Sequence, residues 1–297
     1  MVDALQFCVF SFNRGRFLEH CVRSIERCAP TAAVHIYDDA SDDPDTLAAL
    51  ARLRARHSVV VRPGGRQSKH GGLSANMQAA LEQVDGRLCF LQDDMQLVRP
   101  LDDGDYRGIE AFFGEQPDAG FLHPAFFKGC NRDRDQRITR FDAATGTYFR
   151  DGEGMSVGHH YSDIFIAEAA RLRAVGWRFT ARESGNEPQA QQHFRPMGFL
   201  FAPFVMWLPR VPAYRGRTKT WAMARAERRQ GSGFHPIADM MAADVQALKA
   251  RAPEVLPVAE DFLRAGSPPI PAPWHYYPLQ KAPLLKALDR LERRWRG

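Results

Sequence analysis

The sequence contains no hydrophobic run long enough to span a membrane. Its longest apolar run, residues 199–208, has ten residues and includes Pro203, whereas a spanning helix needs about 20. The first residues also lack the basic character of a signal peptide, since Asp3 stands where a positive charge is usual. We therefore expect a cytoplasmic protein without a spanning helix.

Cysteine is scarce, and the five cysteines include no pair at CxxC spacing. Cys8 and Cys89 fall in strand-like runs, while Cys21 and Cys28 lie seven residues apart on one helical face. Buried free thiols in a reducing cytoplasm explain this distribution. The sequence therefore predicts neither a disulfide nor a zinc site.

The amino-acid composition is not extreme in any respect. Of the 297 residues, 44% are hydrophobic and 25% are charged, which excludes collagen-like, low-complexity and disordered chains. The net charge of +5 is uneven, because residues 215–297 hold 15 Lys and Arg against 8 Asp and Glu and so carry +7. This basic segment suits nucleic acid, an anionic membrane or a phosphorylated ligand.

The first hundred residues alternate between strand and helix patterns. Strand-like runs at 5–12, 33–37, 58–61 and 88–91 alternate with helical patterns at 17–28, 44–56 and 73–84. This alternation predicts an α/β fold with a mostly parallel, Rossmann-type sheet flanked by helices. Ligands of such sheets bind at the carboxyl ends of the strands, where this sequence places polar and acidic residues.

The rest of the chain is less regular. We expect a first domain over residues 1–210, in which residues 124–157 form an irregular insert, either a hairpin or a flexible lid. A helix is expected at about 186–194. Residues 211–297 are expected to form a basic, largely helical C-terminal extension.

The strongest local motif is Gln92-Asp93-Asp94, directly after a buried strand. Two adjacent carboxylates repel each other unless a cation lies between them and a ligand. Hard oxygen ligands favour Mg²⁺ or Mn²⁺, which keep open positions for phosphates. The alternative is a solvated turn whose aspartates cap the next helix, and the same ambiguity applies to Asp38-Asp39.

Several such motifs, in order, resemble those of the family 2 glycosyltransferases, which are inverting nucleotide-sugar enzymes with the GT-A fold. The matching residues are Ser11-Phe12-Asn13-Arg14 with Leu18 and Ser24, Asp38-Asp39-Ala40-Ser41-Asp42, Gly72 through Asn76, and Gly86 leading into Leu91-Gln92-Asp93-Asp94. The resemblance covers about residues 5–100 well and 155–215 loosely. Gln92 departs from the family, which often has another Asp there.

The resemblance implies a donor site for a nucleotide-diphosphate sugar. In that interpretation Ser11, Asn13 and Asp39 hold the base and ribose, Asp93 lies near the ribose, and Asp94 binds a Mn²⁺ or Mg²⁺ ion on the diphosphate. The further donor-site residues of the expected set are Arg14, Asp38 and Asn76.

The same resemblance implies a catalytic base. The family places an acidic pair about eleven residues before a Gly, and Asn186-Glu187 precedes Gly198 at that distance. Glu187 is therefore the first candidate to remove the acceptor proton, and Glu183 is its rival. Glu187 could instead be a first-turn Glu favoured by the helix dipole.

Near Pro212 many metal-dependent GT-A enzymes supply a His, but this sequence has a basic stretch. Arg215 and Lys219 cannot bind a metal, yet they can pair with a leaving diphosphate. The alternative is a solvated basic face.

The closing helix carries four leucines and Trp295 among Lys and Arg residues. A helix with this pattern could bind the anionic inner face of a membrane, or it could pack on the protein's own core.

The expected function is thus a metal-assisted inverting glycosyltransferase acting on a hydroxyl acceptor. One alternative is a metal-dependent sugar nucleotidyltransferase, although Asn13-Arg14-Gly15-Arg16 is a poor version of its Gly-rich loop. The other alternative is a non-catalytic basic binding protein. We expect no nucleic-acid partner, because the aromatic residues of the basic segment are scattered.

Overall fold

The computed structural model describes residues 5–62, 72–151, 158–181, 183–213 and 219–296, apart from the side chains of Glu183 and Arg296. Arg215 and most of the loop before α3 lie outside the described residues.

The N-terminal part alternates strands and helices as predicted. The strands are β1 (Leu5–Ser11), β2 (Val34–Asp38), β3 (Ser58–Val61) and β4 (Arg87–Gln92), and the helices are α1 (Gly15–Cys28), α2 (Pro44–Leu53) and α3 (Leu73–Gln83). Pro44 opens α2, where its missing N–H costs nothing. The Asp43 carboxylate accepts the Thr46 N–H at 2.9 Å and caps that helix.

The remaining elements complete a large sheet and a helical C-terminal part. The strands are β5 (Met95–Leu97), β6 (Leu122–His123), β7 (Thr139–Asp142), β8 (Thr147–Arg150), β9 (Phe165–Glu168), β10 (Gly198–Leu200) and β11 (Val205–Trp207). The helices are α4 (Asp103–Glu115), α5 (Arg132–Ile138), α6 (Ala169–Ala174), α7 (Glu183–His193), α8 (Trp221–Gln230), α9 (Ala242–Ala250), α10 (Ala259–Phe262) and α11 (Pro283–Arg296).

The main sheet has the strand order β3-β2-β1-β4-β9-β6-β10-β8-β7. β1 is parallel to β2 and to β4, whereas β9 is antiparallel to both β4 and β6. Helices pack on the sheet, and the predicted α/β architecture is confirmed. The carboxyl ends of the parallel strands and the amino end of β9 therefore meet at one edge, which we call the site edge.

Two hydrophobic clusters lie on the two faces of this sheet. One includes Leu18, Val22 and Ile25 of α1, and the other includes Met77 and Leu81 of α3. Four of the cysteines, at positions 8, 21, 28 and 89, are buried in these clusters. Their thiols act as small apolar side chains that complete the core.

The middle and end of the chain are tied to the sheet. The β7–β8 hairpin pairs with β10 and extends the main sheet. Residues of the C-terminal part, including Ile237, Leu248 and Trp274, share a buried cluster with Phe126 and Met206 of the first part. α7 begins at Glu183, three residues earlier than the sequence predicts. In the part of the chain that is described, no helix combines the length and apolar character needed to cross a bilayer.

Candidate active site

Asp38 and Asp39 lie at the end of β2, on the site edge. Asp38 is fully buried, and its carboxylate accepts hydrogen bonds from the backbone N–H and the hydroxyl of Ser41, both at 2.7 Å. The Asp39 carboxylate accepts the Gly72 N–H at 2.6 Å. A Cβ at position 72 would overlap that carboxylate, so only glycine permits this approach. Asp38 thus shapes its own turn, while Asp39 faces the start of α3.

Asn13 ties the loop after β1 to the loop after β2. Its side-chain oxygen accepts the N–H groups of Asp42 and Asp43 at 2.9 and 3.1 Å, and its own N–H donates to the Ser41 hydroxyl at 2.9 Å. Its φ of 47° lies in the left-handed region, which Asn tolerates better than most residues. Ser11 is buried at the end of β1. These two residues therefore set the shape of the loops at the site edge.

The Asp93-Asp94 pair is bound by a cation from the protein itself, which balances one of its two negative charges. Arg14 donates to Asp94 at 2.6 Å and lies 3.5 Å from an oxygen of Asp93, which is fully buried. A second guanidinium nitrogen donates to the Pro212 carbonyl at 2.7 Å. The cation that the acidic motif requires is therefore Arg14 in this structure, a pairing that the motif alone did not indicate.

These residues fit a divalent ion only in part. Within the described ranges, no three His, Cys, Asp or Glu residues come together as a metal cage. Asp94 offers a hard oxygen ligand whose side chain is 14% exposed. Mg²⁺ often binds through one or two carboxylates and takes its other ligands from substrate phosphates and water. Asp94 fits that mode, provided that Arg14 yields its place on the carboxylate.

A cavity of about 450 Å³ opens beside Gln92, the residue that precedes the acidic pair. Gln92, at the end of β4, is part of its wall, and Trp207, Phe199 and Phe127 give it aromatic walls. Lys128 places its ammonium 3.6 Å from the centre of the Trp207 ring. Planar aromatic walls with a few polar groups are typical of a pocket for a small polar ligand.

His123 also lines this cavity. Burial, with Arg150 and Lys128 nearby, lowers the pKa of His123 to about 3. The imidazole is therefore neutral at physiological pH. It offers the cavity a polar group without a charge.

Asp163 is a carboxylate in the same cavity. Phe165 of β9 pairs with Phe90 of β4, so Asp163, two residues before Phe165, lies near Gln92 at the site edge. Burial raises the pKa of Asp163, and a hydrogen bond from the Tyr161 hydroxyl at 2.9 Å lowers it by less. A carboxylate with a raised pKa in a cleft has the properties of a proton acceptor.

Glu187 has a different environment. Its carboxylate accepts the backbone N–H groups of Gly158, His160 and Tyr161 at 3.1, 2.7 and 3.1 Å, and its oxygen lies 3.4 Å from the His160 ring. Burial raises the pKa of Glu187, but these hydrogen bonds outweigh it and hold the pKa below its ordinary value. The side chain is thus an anion that shapes the loop beside the cavity.

Replacing Glu187 by glutamine is expected to lower the free energy of unfolding by about 2–3 kcal/mol at neutral pH, since hydrogen bonds to a charged acceptor are lost. A lowered pKa contributes stability above the ordinary glutamate pKa, and this contribution is lost as the pH falls through the lowered value. The Tm difference between wild type and Glu187→Gln should therefore shrink in acid. Glu115→Gln, at an exposed position of α4, is the control, and an equal difference at all pH values would contradict the prediction.

The other predicted residues lie at different distances from this centre. Lys219 lines a smaller cavity of about 290 Å³ together with Arg14, and its ammonium donates to Glu227 at 2.6 Å. Asn76 is buried in α3. Glu183 is the first residue of α7, and Arg215 lies outside the described residues.

Comparison with known proteins gives structural likeness only. The sequence matches no protein-family model. It also matches no curated protein.

Among solved structures, a TarS fragment from S. aureus shares 16% identity over 66% of this chain and 58% of that chain, with a TM-score of 0.43. A mannosyltransferase from Pyrobaculum calidifontis, in complex with GDP-Man and Mn²⁺, shares 14% over 77% and 62%, with a TM-score of 0.47. Glucosyl-3-phosphoglycerate synthase from Mycobacterium tuberculosis, with Mn²⁺ and UDP-Glc, shares 12% over 77% and 76%, with a TM-score of 0.42. This chain thus spans little more than half of the TarS fragment, and alignments this distant assign no residue role.

Proposed function

We propose that this chain is an inverting glycosyltransferase that moves a sugar from a nucleotide-diphosphate donor to a hydroxyl acceptor. The observation that carries the proposal is the site edge, where Asp39, Asp93 and Asp94 follow the ends of β2 and β4, Arg14 binds Asp94, and Gln92, the residue before Asp93, lines a cavity of about 450 Å³. Carboxylates and a cation suit a nucleotide diphosphate, and the cavity next to them suits a sugar. The acceptor, whether a glycan, a lipid-linked sugar or a small molecule, enters from the same cavity.

The donor is held by the ends of three parallel strands. In this proposal Asp39 binds the ribose, and the loops shaped by Ser11 and Asn13 receive the base. Asp94 would hold a Mn²⁺ or Mg²⁺ ion, which would supply positive charge to the leaving group. Arg14 would then move from Asp94 to a diphosphate oxygen, where its planar guanidinium makes strong hydrogen bonds.

The proton acceptor in this mechanism is Asp163. The acceptor hydroxyl gives its proton to the Asp163 carboxylate while its oxygen forms a bond to the anomeric carbon. The bond from that carbon to the diphosphate breaks, and the diphosphate leaves with the electron pair. Glu187, the base implied by the family resemblance, stays the rival. Its carboxylate is already occupied by three backbone N–H groups and the His160 ring, which is the argument against it.

A thermal-shift panel tests the donor site directly. UDP, GDP and the corresponding triphosphates are each added with and without Mn²⁺. A ligand at about 100 times its Kd adds about 2.7 kcal/mol to stability, which raises Tm measurably. We expect a diphosphate to shift Tm and Mn²⁺ to enlarge that shift.

Two results would contradict the proposal. A shift with triphosphates and none with diphosphates would favour a nucleotidyltransferase. No shift with any nucleotide would favour a non-catalytic protein. Mn²⁺ alone and each nucleotide with EDTA are the matched controls.

A further inference from the structure

Helix α11 is anchored to α8 along one face. Leu285 is buried against Ala222, Met223 and Ala226 of α8. Asp289 accepts a hydrogen bond from the Thr220 hydroxyl at 2.6 Å, and Glu292 accepts the N–H groups of Trp221 and Ala222 at 2.7 and 3.0 Å. These contacts cap the start of α8 and fix the rotation of α11 about its axis.

A second face of α11 is apolar and exposed. Leu284, Leu288, Leu291 and Trp295 are 81, 42, 51 and 90% exposed. Their spacing of four, three and four residues places them on one side of a helix. Trp221, at the start of α8, is also 55% exposed and follows the residue that Asp289 binds. We call Leu284, Leu288, Leu291, Trp295 and Trp221 the apolar stripe.

Basic side chains accompany this stripe. Lys286, Arg290 and Arg294 of α11 are exposed. The acidic residues of α11, Asp289 and Glu292, are both occupied by the start of α8. The charged side chains that are exposed among the described residues of α11 are therefore all basic.

We propose that the apolar stripe docks on an anionic lipid bilayer, with α11 lying in the plane of the surface. An interfacial helix of this kind buries its apolar face at the headgroup boundary and directs Lys and Arg to anionic lipids. Tryptophan is favoured at that boundary. Exposed charges of one sign on α11 match a uniformly negative surface, which distinguishes a bilayer from a protein partner with mixed charges.

Helix α8, against which α11 packs, is also connected to the site edge. Ala213 donates its N–H to Glu227 of α8 at 2.8 Å, and the carbonyl of the neighbouring Pro212 accepts from Arg14. The docking proposal does not depend on the reaction that the site performs.

Co-sedimentation of the full chain with vesicles tests the proposal. The vesicles contain phosphatidylcholine alone, or phosphatidylcholine with about a third of phosphatidylglycerol. We expect binding to the anionic vesicles only, weakened by salt. The double variant Leu288→Gln/Leu291→Gln should lower the partition coefficient at least about tenfold, and Arg290→Glu/Arg294→Glu about 25-fold or more.

Matched controls come from α2, which contributes nothing to the apolar stripe. Leu47 is 48% exposed on α2, and Arg54 at the end of that helix is exposed as well. Leu47→Gln and Arg54→Glu should leave vesicle binding unchanged. All variants replace exposed side chains, so their Tm values should match wild type.

Three results would overturn the proposal. In the first, wild type does not bind anionic vesicles at low salt. In the second, both double variants bind as well as the controls. In the third, light scattering shows a dimer that Leu288→Gln/Leu291→Gln dissociates while no vesicle binding occurs, and the occupant of the stripe is then a second copy of this chain.

Discussion

The Asp94→Asn variant is expected to lose the Mn²⁺-enhanced part of nucleotide binding and to show no glycosyl transfer. The substitution keeps the shape of the side chain but removes the charge that a divalent ion requires. Charge develops on the leaving diphosphate during transfer, so the loss should be greater in rate than in donor affinity. Titration calorimetry of the diphosphate with and without Mn²⁺, beside a transfer assay, measures both.

Arg14→Gln is the matched control for this variant. Both substitutions break the 2.6 Å contact between Arg14 and Asp94, but only one removes the carboxylate. Arg14→Gln loses the proposed contact of Arg14 with the diphosphate and so binds nucleotide more weakly, but Mn²⁺ should still increase that binding. Metal-enhanced binding that survives in Asp94→Asn would show that another residue holds the ion.

The second large effect is expected at Asp163. Asp163→Asn should slow transfer about 10²–10⁴-fold, the usual contribution of a positioned general base, with donor affinity nearly unchanged. Burial raises the pKa of Asp163 above its ordinary value, so the wild-type rate should fall with decreasing pH at a higher pH than an ordinary aspartate would give. The asparagine variant should lack that acidic limb in its pH–rate profile.

Glu187→Gln is the direct comparison. On our proposal it changes stability and loop order more than the pH dependence of kcat. A large loss of kcat and of the acidic limb in Glu187→Gln, with a near-normal Asp163→Asn, would instead identify Glu187 as the base. The same assay on Glu183→Gln covers the remaining rival from the sequence.

The parallel half of the fold follows from local patterns. The apolar runs that become β1 and β4, and the three- and four-residue spacing of α1, are short-range signals. The rule that ligands bind at the carboxyl ends of parallel strands then places Asp39 and Asp94 at the same edge of the sheet. This much of the candidate site was predictable before any coordinates.

The contribution of β9 was not predictable in the same way. Its apolar run is visible at Ile164 to Ile166, but the direction of a strand is decided by long-range pairing. Because β9 runs antiparallel to β4, its amino end reaches the site edge and brings Asp163 there. An acidic residue before a buried strand is the signal that could have found it.

Two further features depend on contacts distant in sequence. Arg14 was predicted as a donor-site residue, but Asp94 and the Pro212 carbonyl, which accept its hydrogen bonds, lie 80 and 198 residues away. In α11 the leucines divide between two faces, since Leu285 is buried and the other three are exposed. Helical periodicity alone placed them together, because it contains no information about where α8 would pack.

The bond between Arg14 and the Pro212 carbonyl has a consequence for how the protein is made. At a synthesis rate of about 5–20 residues per second, the ribosome needs roughly 10–40 s to extend the chain from Arg14 to Pro212. During that interval the guanidinium can meet Asp93 and Asp94 but not its third partner. The candidate site is thus completed late in translation, after the strands that define it have been synthesised. A nascent chain released before Pro212 would carry the acidic pair without the carbonyl that helps to hold Arg14 in place.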